Sequence, residues 1–126
     1  MTGIELITAE RKRQIEVKGF DAKHDDGYYN ASGELAFAAI CYASPEPVYL
    51  LDSSRNSFEF FDPFPLEWDE KCDKRARVNG GYLGKLIPNG KQSTSQRIRN
   101  LVKAGALIAA EIDRLQRCYI QENEHE

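Results

Sequence analysis

Helical periodicity marks both ends of the chain, while the middle alternates or breaks. Ile4 to Lys18 contains no helix breaker and stops at Gly19, a residue suited to the position just after a helix. Ile4, Ile7 and Ile15 share one face of it, and the positions between them on that face are Arg11 and Gln14. Arg11 is expected to meet a carboxylate from another element, or else to point into a polar pocket beside the core. Phe20 to Gly33 is rich in Asp, Asn, Gly and Ser and reads as a loop. Ser32 is placed to cap a second helix over 33–43, with Glu34 in its first turn. That helix is apolar nearly all round, the mark of a central, buried element, and Ser44-Pro45-Glu46-Pro47 ends it.

Val48 to Leu51 and Phe58 to Phe61 flank a polar turn, Asp52 to Ser57, and predict a small β-hairpin. Phe64, Leu66 and Trp68, interleaved with Pro63 and Pro65, are expected to cover one end of the core, with an exposed aromatic platform as the alternative. Leu66 to Val78 predicts a short helix broken by Asn79-Gly80-Gly81, and Asn79 to Ser95 an irregular loop. From about Thr94 to Ile120 the positions Leu101, Ala104, Gly105, Ile108, Ile112, Leu115 and Tyr119 form a helix seam. Its small centre admits close approach of another helix, for which the alanine-rich second helix is the natural partner. A polar, acidic tail, 121–126, follows.

The sequence has 126 residues, 41% apolar and 29% charged, which suits one globular domain and excludes a disordered chain. The fold class this predicts is mainly α (α+β): three packed helices with a β-hairpin and an ordered loop insertion over 45–95. No run of 18 apolar residues exists, and the first ten residues carry Glu5 and Glu10 instead of an apolar stretch. The expected location is therefore a cytoplasm, with Cys41, Cys72 and Cys118 reduced. His24 and His125 are the only histidines, too few and too far from the cysteines for a structural zinc site.

Charge changes the picture more than composition does. The formal net charge is −3, but Lys71 to Lys103 holds nine basic side chains and one acid, Asp73, for +8, leaving −11 over the other 93 residues. A concentrated basic segment on an acidic scaffold points to a phosphate or another anion as partner. Arg97, Arg99 and Lys103 open the last helix, where cations oppose the helix dipole; guanidinium groups beside N–H donors suit phosphate. The acidic remainder of the chain argues for a compact phosphorylated ligand and against duplex nucleic acid.

Other clusters are weighed beside this one. His24, Asp25 and Asp26, with Glu34 eight residues beyond, combine carboxylates with a proton shuttle, though such residues are also good turn and cap formers. Gly80, Gly81 and Gly84 with Lys85 offer backbone N–H groups to an anion, but the glycine spacing and Leu86 depart from a nucleotide-binding P-loop. Glu67, Glu70 and Asp73 resemble the acidic metal-binding pairs of MazG-type pyrophosphohydrolases, which implies magnesium. Glu111 and Asp113, at i, i+2, point to different faces and do not supply the second pair that such enzymes use.

Ala9 to Phe20, His24-Asp25-Asp26, Gly33 to Ala43 and Arg97 to Leu115 together resemble a family of small phage and prophage accessory proteins. Phe20 stands where that family usually has Trp, and 48–96 looks like a divergent insertion. Lys18 to Asp26 is also similar to the Gly-Trp…Asp-Asp element of ryanodine-receptor repeat domains. The phage resemblance implies a counter-defence factor in the host cytoplasm, such as a sponge for a nucleotide immune signal. The expectation is a non-enzymatic binder of a phosphorylated, nucleotide-like molecule, without cofactor, using Arg11, His24, Asp25, Asp26, Glu34, Lys85, Arg97, Arg99 and Lys103. The alternatives are a magnesium-dependent pyrophosphohydrolase using Glu67, Glu70 and Asp73, and an inhibitor of a host defence protein. No membrane partner is expected, and the long Ala/Gly seam leaves room for a homo-oligomer.

Overall fold

In the computed structural model, residues 1–52, 59–68, 72–81 and 84–124 are described. Among them the architecture is mainly helical, with a two-stranded antiparallel sheet. The helices are α1 (Gly3–Glu16), α2 (Ala22–Asp25), α3 (Glu34–Ala43) and α4 (Thr94–Glu124). Strands β1 (Leu50–Asp52) and β2 (Glu59–Phe61) pair with Leu50 opposite Phe61, as a hairpin requires; its turn lies outside the described residues.

Thr2 and Glu5 form a reciprocal capping box that starts α1, and Gly19 at φ +74° turns the chain so that Phe20 N–H reaches Gln14 O. α1 buries only part of its isoleucine stripe, with Ile7 against Gly105 of α4. Ile4 is 79% exposed, whereas Glu10 and Gln14 are buried. The 20–33 segment is more ordered than a loop. Asp21 caps the single turn of α2 by accepting from His24 N–H, and a 3-10 turn follows at Tyr28–Asn30. Gly33 at φ +89°, not Ser32, is the N-cap of α3, and the Glu34 carboxylate accepts from Ser32 N–H instead.

The core lies between α3 and α4. Leu35, Ala38, Ala39 and Tyr42 pack against Ala104, Leu107 and Ala110, and Phe64 closes one end with Trp68 against it. This corrects the α4 seam. Its buried face carries Asn100, Ala104, Leu107, Ala110, Glu111 and Arg114, while Leu101, Ile108, Ile112, Leu115 and Tyr119 are about half exposed. Alanines at 38 and 39 bring the two backbones close, so α4 turns its small residues inward.

Of the helix expected over 66–78, positions 69–71 lie outside the described residues, and the described ones contain no α-helix, only 3-10 turn at Cys72 and Val78. The Arg75 guanidinium binds Asp62 and Asp73, each at 2.8 Å, and lies 4.6 Å over the Phe64 ring. Asp73 also accepts from Arg75 N–H and from Arg77, which holds 73–77 extended. Burial pushes against the Asp73 charge, but the hydrogen bonds and charges of Arg75 and Arg77 outweigh it and hold the carboxyl below its ordinary value. The following loop doubles back on this strand, through Val78 N–H to Lys85 O and Ile87 N–H to Ala76 O.

Candidate functional site

A cavity of about 580 Å³ opens between α1, α3 and α4. One stripe of α4 supplies Gln96, Arg99, Lys103 and Leu107, at spacings of three and four residues. The end of α1 supplies Arg13 and Gln14, and Lys18 and Phe20 come from the turn after it. Tyr42 of α3 and the Trp68, Cys72 and Lys74 segment complete the lining. Five cations thus converge on one concavity, and none of its described lining residues is a carboxylate. Among the described residues, only Arg13 of the five has an acidic ion-pair partner, the buried Glu10 at 2.7 Å.

The electrostatics follow from this crowding. Lys103 has its pKa lowered by burial first and by Arg99 next, with Arg13 and Lys74 adding to the effect and Glu10 opposing it. Its Nζ stands 5.4 Å from the Tyr42 ring centroid, a cation–π contact. The Tyr42 hydroxyl accepts from Lys74 N–H at 2.9 Å and donates to Cys72 O, so it pins the 72–74 segment to α3. Burial pushes that phenol up to about 12, which keeps it protonated. Gln14 buries its Oε1 without a hydrogen-bond donor among the described residues.

Phe20, Trp68 and Cys72 also line a second cavity of about 200 Å³, together with His24, Tyr29, Asn30, Leu35 and Glu67. Trp68 is held by its indole N–H to Asn30 Oδ1 at 3.1 Å and edge-on against Phe64. Phe20 stacks on His24 at 4.6 Å. A cationic chamber therefore shares an aromatic wall with a more apolar one.

Of the residues expected from sequence, the structure brings Arg99 and Lys103 to this cavity. Arg11, His24 and Asp25 form a separate network. Asp25 is fully buried and accepts from Arg11 at 2.8 Å and from the His24 ring at 2.9 Å, while Arg11 also donates to Phe20 O. Arg11 thus meets a carboxylate of another element. Asp26 is bound by Arg117 of α4, Glu34 by the Ser32 N–H, and Arg97 and Lys85 are exposed and line none of these cavities. The cationic chamber is on the flank of α4, not at its end, where the Ser93 hydroxyl caps Gln96 N–H.

Glu67 lines the smaller cavity, Asp73 is bound by Arg75 and Arg77, and Glu70 lies outside the described residues. Among the described residues no group of three or more His, Cys, Asp or Glu is placed to hold a metal ion. The three cysteines are free, and burial pushes the Cys41 thiol up to about 12. No described helix is long and apolar enough to cross a membrane.

Arg13, Lys18, Lys74 and the aromatic wall come from three parts of the chain, and no local spacing announces them. The one available signal was the polar interruption of the α1 stripe. It fits Gln14 better than Arg11. Comparison with protein-family models, with curated proteins and with solved structures yielded no match.

Proposed function

We propose that the protein is a non-enzymatic binder of a phosphorylated, nucleotide-like ligand, seated in the cavity between α1, α3 and α4. The observation that carries this reading is the convergence of Arg13, Lys18, Lys74, Arg99 and Lys103 on one concavity with no carboxylate among its described lining residues. Like charges crowded into a partly buried space raise the energy of the empty state, and an anion relieves it. Arg99 and Lys103 hold phosphate oxygens. Phe20 and Trp68, shared with the apolar annex, accept a ring against their faces. The resemblance to small phage accessory proteins makes sequestration of a nucleotide immune signal the biological form of this activity.

The test is thermal shift and titration calorimetry with mono-, di- and cyclic nucleotides in EDTA, backed by mass spectrometry of small molecules released from protein purified out of infected, defence-positive cells. A shift that survives EDTA is expected, and Lys103→Gln and Arg99→Gln are each expected to weaken binding about tenfold, or ~1.4 kcal/mol. Absence of any shift across that panel, or affinities unchanged in both variants, defeats the proposal.

A further inference from the structure

The outer face of α4 carries a second seam that the fold leaves uncovered. Ile98, Leu101, Ile108, Ile112, Leu115 and Tyr119 are between 47% and 65% exposed. With Gly105, they follow an unbroken three-four spacing over three heptads, the repeat that seats one helix against another. Gly105 itself lies under Ile7 of α1, which fills the space a side chain would take there, and the large residues before and after it are about half exposed. Around Leu115 and Tyr119 the open apolar surface of α4 extends to Ile112 and Ile120. Scattered exposed apolar side chains are ordinary; an aligned row of six on one helix is not.

We infer that this face is the interface of an antiparallel homodimer, in which α4 packs against α4 of a second copy. Two arguments choose the occupant. The first is area. Six or seven half-exposed large side chains from each copy bury on the order of 1,200 Å² in total, the lower bound of a stable interface.

The second is charge. Arg97 flanks the seam at its first turn and Glu122 continues it one step past Tyr119, and neither has an ion-pair partner among the described residues. Antiparallel alignment sets Ile108 against Ile112 of the partner subunit and Leu101 against Tyr119 of the partner subunit. The same register sets Glu122 of the partner subunit opposite Ile98 and next to Arg97, twice by symmetry, whereas a parallel pair opposes like charges at both ends. The cavity between α1, α3 and α4 lies on another face of α4, so dimerisation leaves it open.

Sedimentation equilibrium and light scattering test this. The expected mass at about 0.1 mM protein is that of a dimer. Ile112→Arg, at a half-exposed site, is expected to give a monomer with unchanged helical circular dichroism. Arg97→Glu and Glu122→Arg are each expected to weaken the dimer about tenfold, and the double variant to restore it. A monomeric wild-type protein at that concentration overturns the inference, as does a dimer untouched by Ile112→Arg. Failure of the double variant to recover what the single ones lose overturns the antiparallel register.

Discussion

Lys103 is the side chain on which the cavity's electrostatics converge. Burial and the cations around it lower its pKa from the ordinary 10.5. In the unfolded chain it keeps its proton up to that value, so between the lowered value and 10.5 the unfolded state binds more protons. From this group alone, the empty protein gains stability as pH rises through that window. A phosphate anion reverses the balance by favouring the charged form. Binding then takes up a proton within the window, and affinity falls as pH rises through it. Calorimetry in buffers of different ionisation enthalpy is expected to show uptake of up to about one proton at alkaline pH. Lys103→Arg is expected to bind without uptake, because a guanidinium stays charged throughout. Proton release, or affinity flat across the alkaline range, contradicts this account of the site.

At the scale of elements, a single side chain joins the end of α3 to the start of α4. Asn89 Nδ2 donates to Tyr42 O at 2.9 Å and Ser44 O at 2.8 Å, carbonyls that the end of α3 leaves without intrahelical partners. Its Oδ1 accepts from Asn100 Nδ2 at 2.9 Å, and Asn100 is only 2% exposed. Asn89→Ala strands a buried amide and several carbonyls together, so a loss of about 2–3 kcal/mol is expected in urea denaturation. A loss below about 0.5 kcal/mol would show that water replaces these bonds without cost.

Nothing in the local sequence marks Asn89, which sits between Pro88 and Gly90 in a stretch that reads as plain loop. The long helices and the hairpin were legible because each depends on a local period or turn. The inward face of α4 was not. A count of apolar residues favours the seam with the largest side chains, whereas α3 packs against the face that carries Ala104, Leu107 and Ala110 beside polar residues. The candidate site divides in the same way. Arg99 and Lys103 are one helical turn apart and visible as a pair, but Arg13, Lys18 and Lys74 join them only through tertiary packing.

Across the whole molecule, the −3 net charge conceals a cationic chamber built partly from α1 and partly from the basic segment. The rest of that segment has other roles. Arg75 and Arg77 are bound to Asp62 and Asp73, and Arg97 and Lys85 face solvent away from the chamber. Salt therefore acts on the protein with two signs. In the empty state, raising sodium chloride from about 50 to about 300 mM shortens the Debye length below the width of the chamber and screens repulsion among its cations. The melting temperature should rise. The same ions compete with a phosphorylated ligand, so its affinity should fall several-fold over the same range, and with it the ligand's contribution to stability. Lys103→Gln removes the most buried of the repelling charges and is expected to shrink the salt-induced rise in the empty protein. Scanning fluorimetry of both proteins across the salt series, with and without nucleotide, separates the terms. If the rise is as large in Lys103→Gln as in wild type, the repulsion resides in the acidic scaffold and the chamber is not the strained part of the molecule.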